Sequence, residues 1–408
     1  MGVGGFPPIL PSGGSMAIAA APARIRFNRL GVLIAALTLG GLALPLAAFR
    51  ANRIVPGTGR SILEALPLQP AILLLASLLA MAAIAVVRSP LALRLLASLA
   101  ALSLLLVAMG RAATTLTPEG DALARISPAA GFWVLLFALA VLAADALAQL
   151  KLKPAWRIGV LALVSGGLVA IVLSGALSDL SVFKEYANRA DSFWREAQTH
   201  VLLAFGSLLA ALVVGLPLGI ACIRLPGLRA TTLNVLNVIQ TIPSIALFGL
   251  LIPPLAWIAF AVPGAAGLGI SGIGATPALV ALFGYSLLPV VANTVIGIDS
   301  VPAAVGDAAL GMGMTARQRL FAVELPLAFP IILTGVRIVL VQNIGLATIA
   351  ALIGGGGFGV FVFQGIGQTA MDLVLLGAAP TVLLAFASAI ILDALVEMAR
   401  KPTSETAA

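Results

Sequence analysis

The feature that most constrains this chain is a repeated one: stretch after stretch of roughly 20 residues with almost no charge. About ten such runs occur, near residues 30–49, 70–87, 91–109, 131–150, 158–178, 201–223, 232–260, 276–297, 334–353 and 373–396. A helix of that length crosses the hydrocarbon layer with every backbone polar group bonded within the segment. Hydrophobic residues make up 61% of the chain and charged residues 9%. A soluble domain carries about 25% charged residues, and its surface could not hide this much apolar area. The chain is therefore predicted to be an all-α integral membrane protein. The run at 232–260 is expected to bend near Pro243, and the Gly- and Pro-rich stretch 253–276 does not suit one straight helix.

The formal charge of +8 does not point to nucleic acid, because the basic residues stand singly at the ends of apolar runs without interleaved aromatics. They point instead to orientation. With the N-terminus in the cytoplasm, most of the 23 Lys and Arg residues fall on the cytoplasmic side, among them Arg94, Lys151, Lys153, Arg157, Arg224, Arg229, Arg317 and Arg319. Acids such as Glu64, Glu119, Asp179 and Glu185 balance the arginines of the opposite loops. Both termini are thus expected in the cytoplasm of a bacterial cell, with the spans in its inner membrane. Residues 1–28 lack a compact apolar core followed by a cleavage site. They read as a disordered cytoplasmic segment rather than a signal peptide, with Met16 as an alternative start. Residues 401–408 read as a cytoplasmic tail. One cysteine, Cys222, and one histidine, His200, give no disulfide framework, no metal cluster and no catalytic set. No cofactor is expected.

Composition divides the chain. Residues 29–180 hold about five Leu- and Ala-rich spans. Residues 181–200 are polar and suit an amphipathic helix at the outer surface. Residues 201–400 hold the remaining spans, rich in Gly, Pro, Asn, Gln and Thr, and are expected to carry the function.

Between the eighth and ninth runs lies the motif-dense loop 299–330. It reads as two short helices. Pro302 suits a first turn, Ala308 and Ala309 offer a smooth surface, Gly313 permits a sharp turn at positive φ, Thr315 suits an N-cap, and Pro326 ends or bends the element. Leu310, Met312, Met314, Leu320 and Phe321 are more apolar surface than a solvated loop carries, so a partner is expected to cover them. Within the spans, Gln240, Thr241, Ser244, Asn293, Gln342 and Asn343 need a reason to be in lipid. Either they line a translocation path, with Pro243, Pro289 and Tyr285 shaping it, or they hydrogen-bond helices together.

The loop resembles the coupling loop of ABC-importer permeases, whose pattern is Glu-Ala-Ala, three residues, Gly, nine residues, an aliphatic, any residue, Leu-Pro. Here it runs Asp307-Ala308-Ala309, Gly313, Val323, Glu324, Leu325-Pro326, with Asp in place of Glu. Gln240–Ser244 with Leu247-Phe248-Gly249, Tyr285–Pro289 with Asn293-Thr294, and Ile344–Gly359 resemble the osmoprotectant permeases for glycine betaine, carnitine and choline. The resemblance covers roughly residues 195–400, and some members of that subgroup carry a similar N-terminal extension. It implies a type I permease core that pairs with a second permease copy, identical or paralogous. It also implies a dimer of ABC ATPase subunits inside, a periplasmic substrate-binding protein outside, and transport by alternating access. An ATP-hydrolysing activity would reside in the separate ATPase subunit.

Three rival functions are less well supported. A permease for methionine or a sulfonate would share the loop. A secondary transporter calls for acids buried within the second set of spans, and those acids sit mostly at span ends. A membrane enzyme calls for a His, Asp or Cys cluster that the sequence lacks. The run Gly354–Gly359 is not a phosphate loop, since no Lys-Ser or Lys-Thr follows it. It reads as an outer gate or a plain turn.

Overall fold

The computed structural model describes residues 28–400 except Ile54, Arg88 and Ala122. The expected N-terminal segment and the 401–408 tail lie outside the described residues, save Asn28. The chain is overwhelmingly helical. Among the described residues, nine helices are long and apolar enough to cross a membrane.

The first part begins with α1 (Arg29–Ala43), shorter than the predicted run. The correction has a local cause. Leu44 precedes Pro45 and is forced into extended backbone, φ −94° and ψ 156°, which ends the helix. The chain continues as strand β1 (Ala47–Arg50), with β2 (Thr58–Arg60), the single turn α2 (Ile62–Ala65), α3 (Leu68–Val86) and α4 (Leu91–Leu116) following. Strand β3 (Arg125–Pro128) then leads into α5 (Ala130–Gln149) and α6 (Pro154–Leu173). The strands form an antiparallel sheet in the order β2-β1-β3, with Ala47 opposite Arg60 and Pro128, and Arg50 opposite Arg125. The all-α membrane architecture holds, and this small sheet is its one addition among the described residues. Helices α1, α3, α4 and α5 share one core, built on Ile34, Leu74, Leu78, Leu105, Leu135 and Leu142, and Leu46, Ala47 and Ile126 close it at the sheet end. Helix α6 stands aside with no buried residue and packs mainly on the last helix of the chain.

The predicted linker 181–200 is not a separate helix. Its first part is α7 (Ser181–Asn188), and after a break at Arg189 the rest opens α8 (Ala190–Arg224). At 1.5 Å per residue, the 35 residues of α8 reach about 52 Å, well beyond a hydrocarbon layer of about 30 Å. Its charged first turns therefore project from the bilayer at the sheet end.

The expected seventh run is two helices, α9 (Pro226–Thr241) and α10 (Ser244–Ala261). The bend foreseen at Pro243 is a full break, because Ile242 before the proline is extended, φ −69° and ψ 127°. There follow α11 (Ala275–Asp299), the loop helices α12 (Ala303–Gly311) and α13 (Ala316–Arg319), α14 (Leu325–Ile349), the short α15 (Gly359–Gly367) and α16 (Met371–Ala399). Helices α8, α11, α14 and α16 form the second bundle. Close approach depends on small residues. A Cβ on Gly219 of α8 would lie 2.7 Å from Thr294 Cβ on α11, so only glycine fits.

Candidate functional site

The loop 299–330 projects at the end opposite the sheet, and local chemistry shapes it. Pro302 precedes α12, and Gly313 makes the turn at φ +80°. Thr315 and Gln318 form a reciprocal cap: the Gln318 N–H donates to the Thr315 hydroxyl at 3.3 Å, and the Thr315 N–H donates to Gln318 Oε1 at 2.8 Å. Ala309 is buried and its carbonyl accepts from the Met314 N–H. Asp307 and Ala308 face outward. Leu310, Met312 and Phe321 are 52%, 71% and 59% exposed, more than the chain's own packing explains. Val323 and Leu325 are half-buried and Pro326 is exposed. Leu320 and Leu325 pack on the Ile298, Ala328 and Ile332 cluster that seats the loop on the bundle.

The polar residues of the spans separate into two groups. Asn343 on α14 is fully buried and donates to the hydroxyls of Ser207 on α8 and Ser286 on α11, each at 2.8 Å. Tyr285 is also buried, and its hydroxyl donates to the Ile242 carbonyl at the α9–α10 break. Pro289 lacks an N–H, so the Tyr285 carbonyl one turn earlier loses its helical donor. Gln240 Nε2 supplies one at 2.8 Å. Asn293 Nδ2 donates to the Pro289 carbonyl at 2.8 Å. Thr241 and Pro243 are exposed, while Gln240, Ser244, Asn293 and Gln342 are half-buried. The glycine run is pinned to the projecting end of α8: Glu196 accepts from the Gly357 N–H at 2.7 Å, and His200 Nδ1 accepts from the Phe358 N–H at 3.4 Å.

Both parts of the chain are similar to known proteins. A family model described as a binding-protein-dependent transport system inner membrane component matches residues 204–401. A second, described as the N-terminal domain of the ABC transporter permease YehY, matches residues 28–183. The osmoprotectant import permease protein OsmW of Salmonella typhimurium is 42% identical over 185 residues, which are 45% of this chain and 80% of that protein. The chain belongs to the ABC-transporter permeases. The choline transport system permease protein OpuBB of Bacillus subtilis is 36% identical to this permease over 186 residues, 46% of the chain and 78% of that protein. Inward-facing structures of the MetNI methionine ABC transporter include one with a TM-score of 0.43 and 22% identity, over 52% of this chain and 97% of that one.

Sequence reasoning could suggest a helix-to-helix pairing for Asp393 but not its partners, and it missed the other ionic contacts at the loop end of the permease. Glu324, the unspecified position of the loop pattern, is buried between Arg224 and Arg319. Arg229 meets Asp299 at 2.8 Å. Asp393 on α16 contacts both Arg337 on α14 and Arg157 on α6, and Arg157 also reaches Glu397 at 2.9 Å. The charges were visible at span ends, but their pairing joins residues far apart in the chain. At the sheet end, buried Glu185 gathers Arg53, Arg125 and Arg189.

Proposed function

We propose that this permease is the membrane subunit of an ATP-driven importer that carries a small osmoprotectant, glycine betaine or a related quaternary ammonium compound, into the cell by alternating access. Its relatives support the substrate class, since those reported above are an osmoprotectant import permease and a choline transport system permease. The loop end faces the cytoplasm with both termini, and the sheet end faces the periplasm, where a separate binding protein delivers the substrate. A second permease copy completes the path, and two ATPase subunits supply the free energy. The half-buried and exposed group Gln240, Thr241, Pro243, Ser244, Asn293 and Gln342 contributes to the path lining, and Tyr285 and Asn343 hold its walls.

One observation carries the coupling role: the apolar outward face of Leu310, Met312 and Phe321 on a loop that keeps the Asp307–Pro326 spacing. A protein groove on the ATPase subunit is a fitting cover for it. The test is copurification of the ATPase with the unaltered chain, with Leu310→Asp and with Met312→Glu. Each charge should weaken retention by about tenfold or more, equivalent to about 1.4 kcal/mol, with membrane insertion unchanged. Full retention in both variants would refute the docking role. Uptake of labelled glycine betaine into vesicles holding the complete complex tests the substrate, and competition by methionine alone would overturn that choice.

A further inference from the structure

The 299–330 loop returns to the bundle through residues Leu320–Glu324, where the helix is wound more loosely and the Leu325 N–H reaches back five residues to the Leu320 carbonyl. A turn of this kind re-aims the side chains around it. Here it buries the Glu324 side chain, 11% exposed, while Phe321 and Pro326 on either side face outward.

Two guanidinium groups hold that carboxylate. Arg319 Nε donates to Oε1 at 2.8 Å, and Arg224 Nη2 donates to Oε2 at 2.8 Å. Arg319 belongs to the loop. Arg224 is the last residue of α8, immediately before the Leu225 break from which α9 starts. Gln240 in the last turn of α9 and Ile242 just after it are latched to α11 through Tyr285. The two oxygens of one buried carboxylate therefore grip two different parts of the molecule. Helix α14 follows the loop through the main chain, but α8 and α9 have no such connection. Leu320 and Leu325 pack on the same Ile298, Ala328 and Ile332 cluster as Ile220 and Ile223 of α8, yet apolar contact is non-directional. The charge-assisted bonds are directional and costly to break singly, because one broken bond leaves a buried carboxylate oxygen without its donor.

We propose that Glu324 is a positioning residue that carries displacement of the loop sideways into α8 and α9, in parallel with its passage along the main chain into α14. The proposal rests on the docking role given to the loop above.

The experiment uses the full complex of permease and ATPase in vesicles. A cysteine replaces Asn237, exposed on α9, in a Cys222→Ala background, and its rate of modification by a water-soluble maleimide is read with and without ATP. ATPase copurification is read in parallel. We expect an ATP-dependent rate change of about fivefold or more in the otherwise unaltered chain. Glu324→Gln and Arg224→Met should retain the ATPase but abolish that change, and Arg224→Lys, which keeps the charge, should preserve much of it. Arg224 is partly exposed, so Arg224→Met decides the matter if Glu324→Gln does not fold. An undiminished ATP response in the folded variants overturns the proposal, as does an unaltered chain whose α9 shows no response. Loss of the ATPase from Arg224→Met also overturns it, since Arg224 would then shape docking rather than carry motion. An unaltered chain that retains no ATPase defeats the docking role itself, and this proposal falls with it.

Discussion

At the scale of the residue, a polar group in a membrane span is informative only once its partner is known. Asn343 and Gln342 are neighbours in sequence and are equally surprising in lipid. Asn343 turns inward and bridges two other helices, while Gln342 stays half-buried at the bundle surface. The two serines it joins also donate to carbonyls of their own helices, Ser207 to Leu203 and Ser286 to Leu282, each at 2.6 Å. Removing Asn343 therefore strands no hydroxyl. Asn343→Leu should cost about 1 kcal/mol of stability, measured by thermal unfolding in detergent, with uptake per folded complex unchanged. A large loss of uptake at normal stability would move Asn343 to the path. Sequence alone left both roles open for every polar span residue, because facing direction depends on helix pairings that periodicity in a uniformly apolar segment does not reveal. Gly313 and Thr315 were legible for the opposite reason: a positive-φ turn and a helix cap are settled within four residues.

At the scale of the element, apolar runs revealed most helices but not their ends. The run 30–49 concealed Pro45 and a strand, and strands of three or four residues are too short to show an alternating pattern. The run 232–260 concealed a complete break at Pro243, where a bend was expected. The joining of α7 to the start of α8, with a single break at Arg189, was equally hidden, since charged residues suit a linker and a projecting helix alike. Helix-to-helix spacing follows from small residues. Gly219→Val would drive a side chain into Thr294 on α11 and should destabilise the bundle by about 1–3 kcal/mol, read as a lowered melting temperature. An unchanged melting temperature would mean that α8 and α11 separate freely at this level. The same variant should also slow turnover if the two helices move as one body.

At the scale of the whole molecule, α7 and α6 tie the first part of the chain to α16, at opposite ends. At the sheet end Ser181 donates to the Ile126 carbonyl at 2.6 Å, and at the loop end Arg157 reaches Asp393 and Glu397 across the chain. Those acids are nearly half exposed, and such pairs are worth about 0.2–1 kcal/mol each. Arg157→Met should therefore lower the melting temperature by no more than about 2–4 °C. Amide hydrogen exchange around Leu152–Trp156 should nevertheless rise, because Arg157 also closes that turn through the Leu152 carbonyl at 3.0 Å. Unchanged exchange would show that α6 is held by its apolar contacts alone.

Helix α6 buries no residue in this chain. Away from its contact with α16, its order of amino acids is thus weakly constrained, provided the stretch stays apolar and helical and keeps an arginine near its start. What the fold asks of that stretch is chiefly a composition and one charge, so exchanges of one apolar residue for another along its outward face should pass without effect on folding.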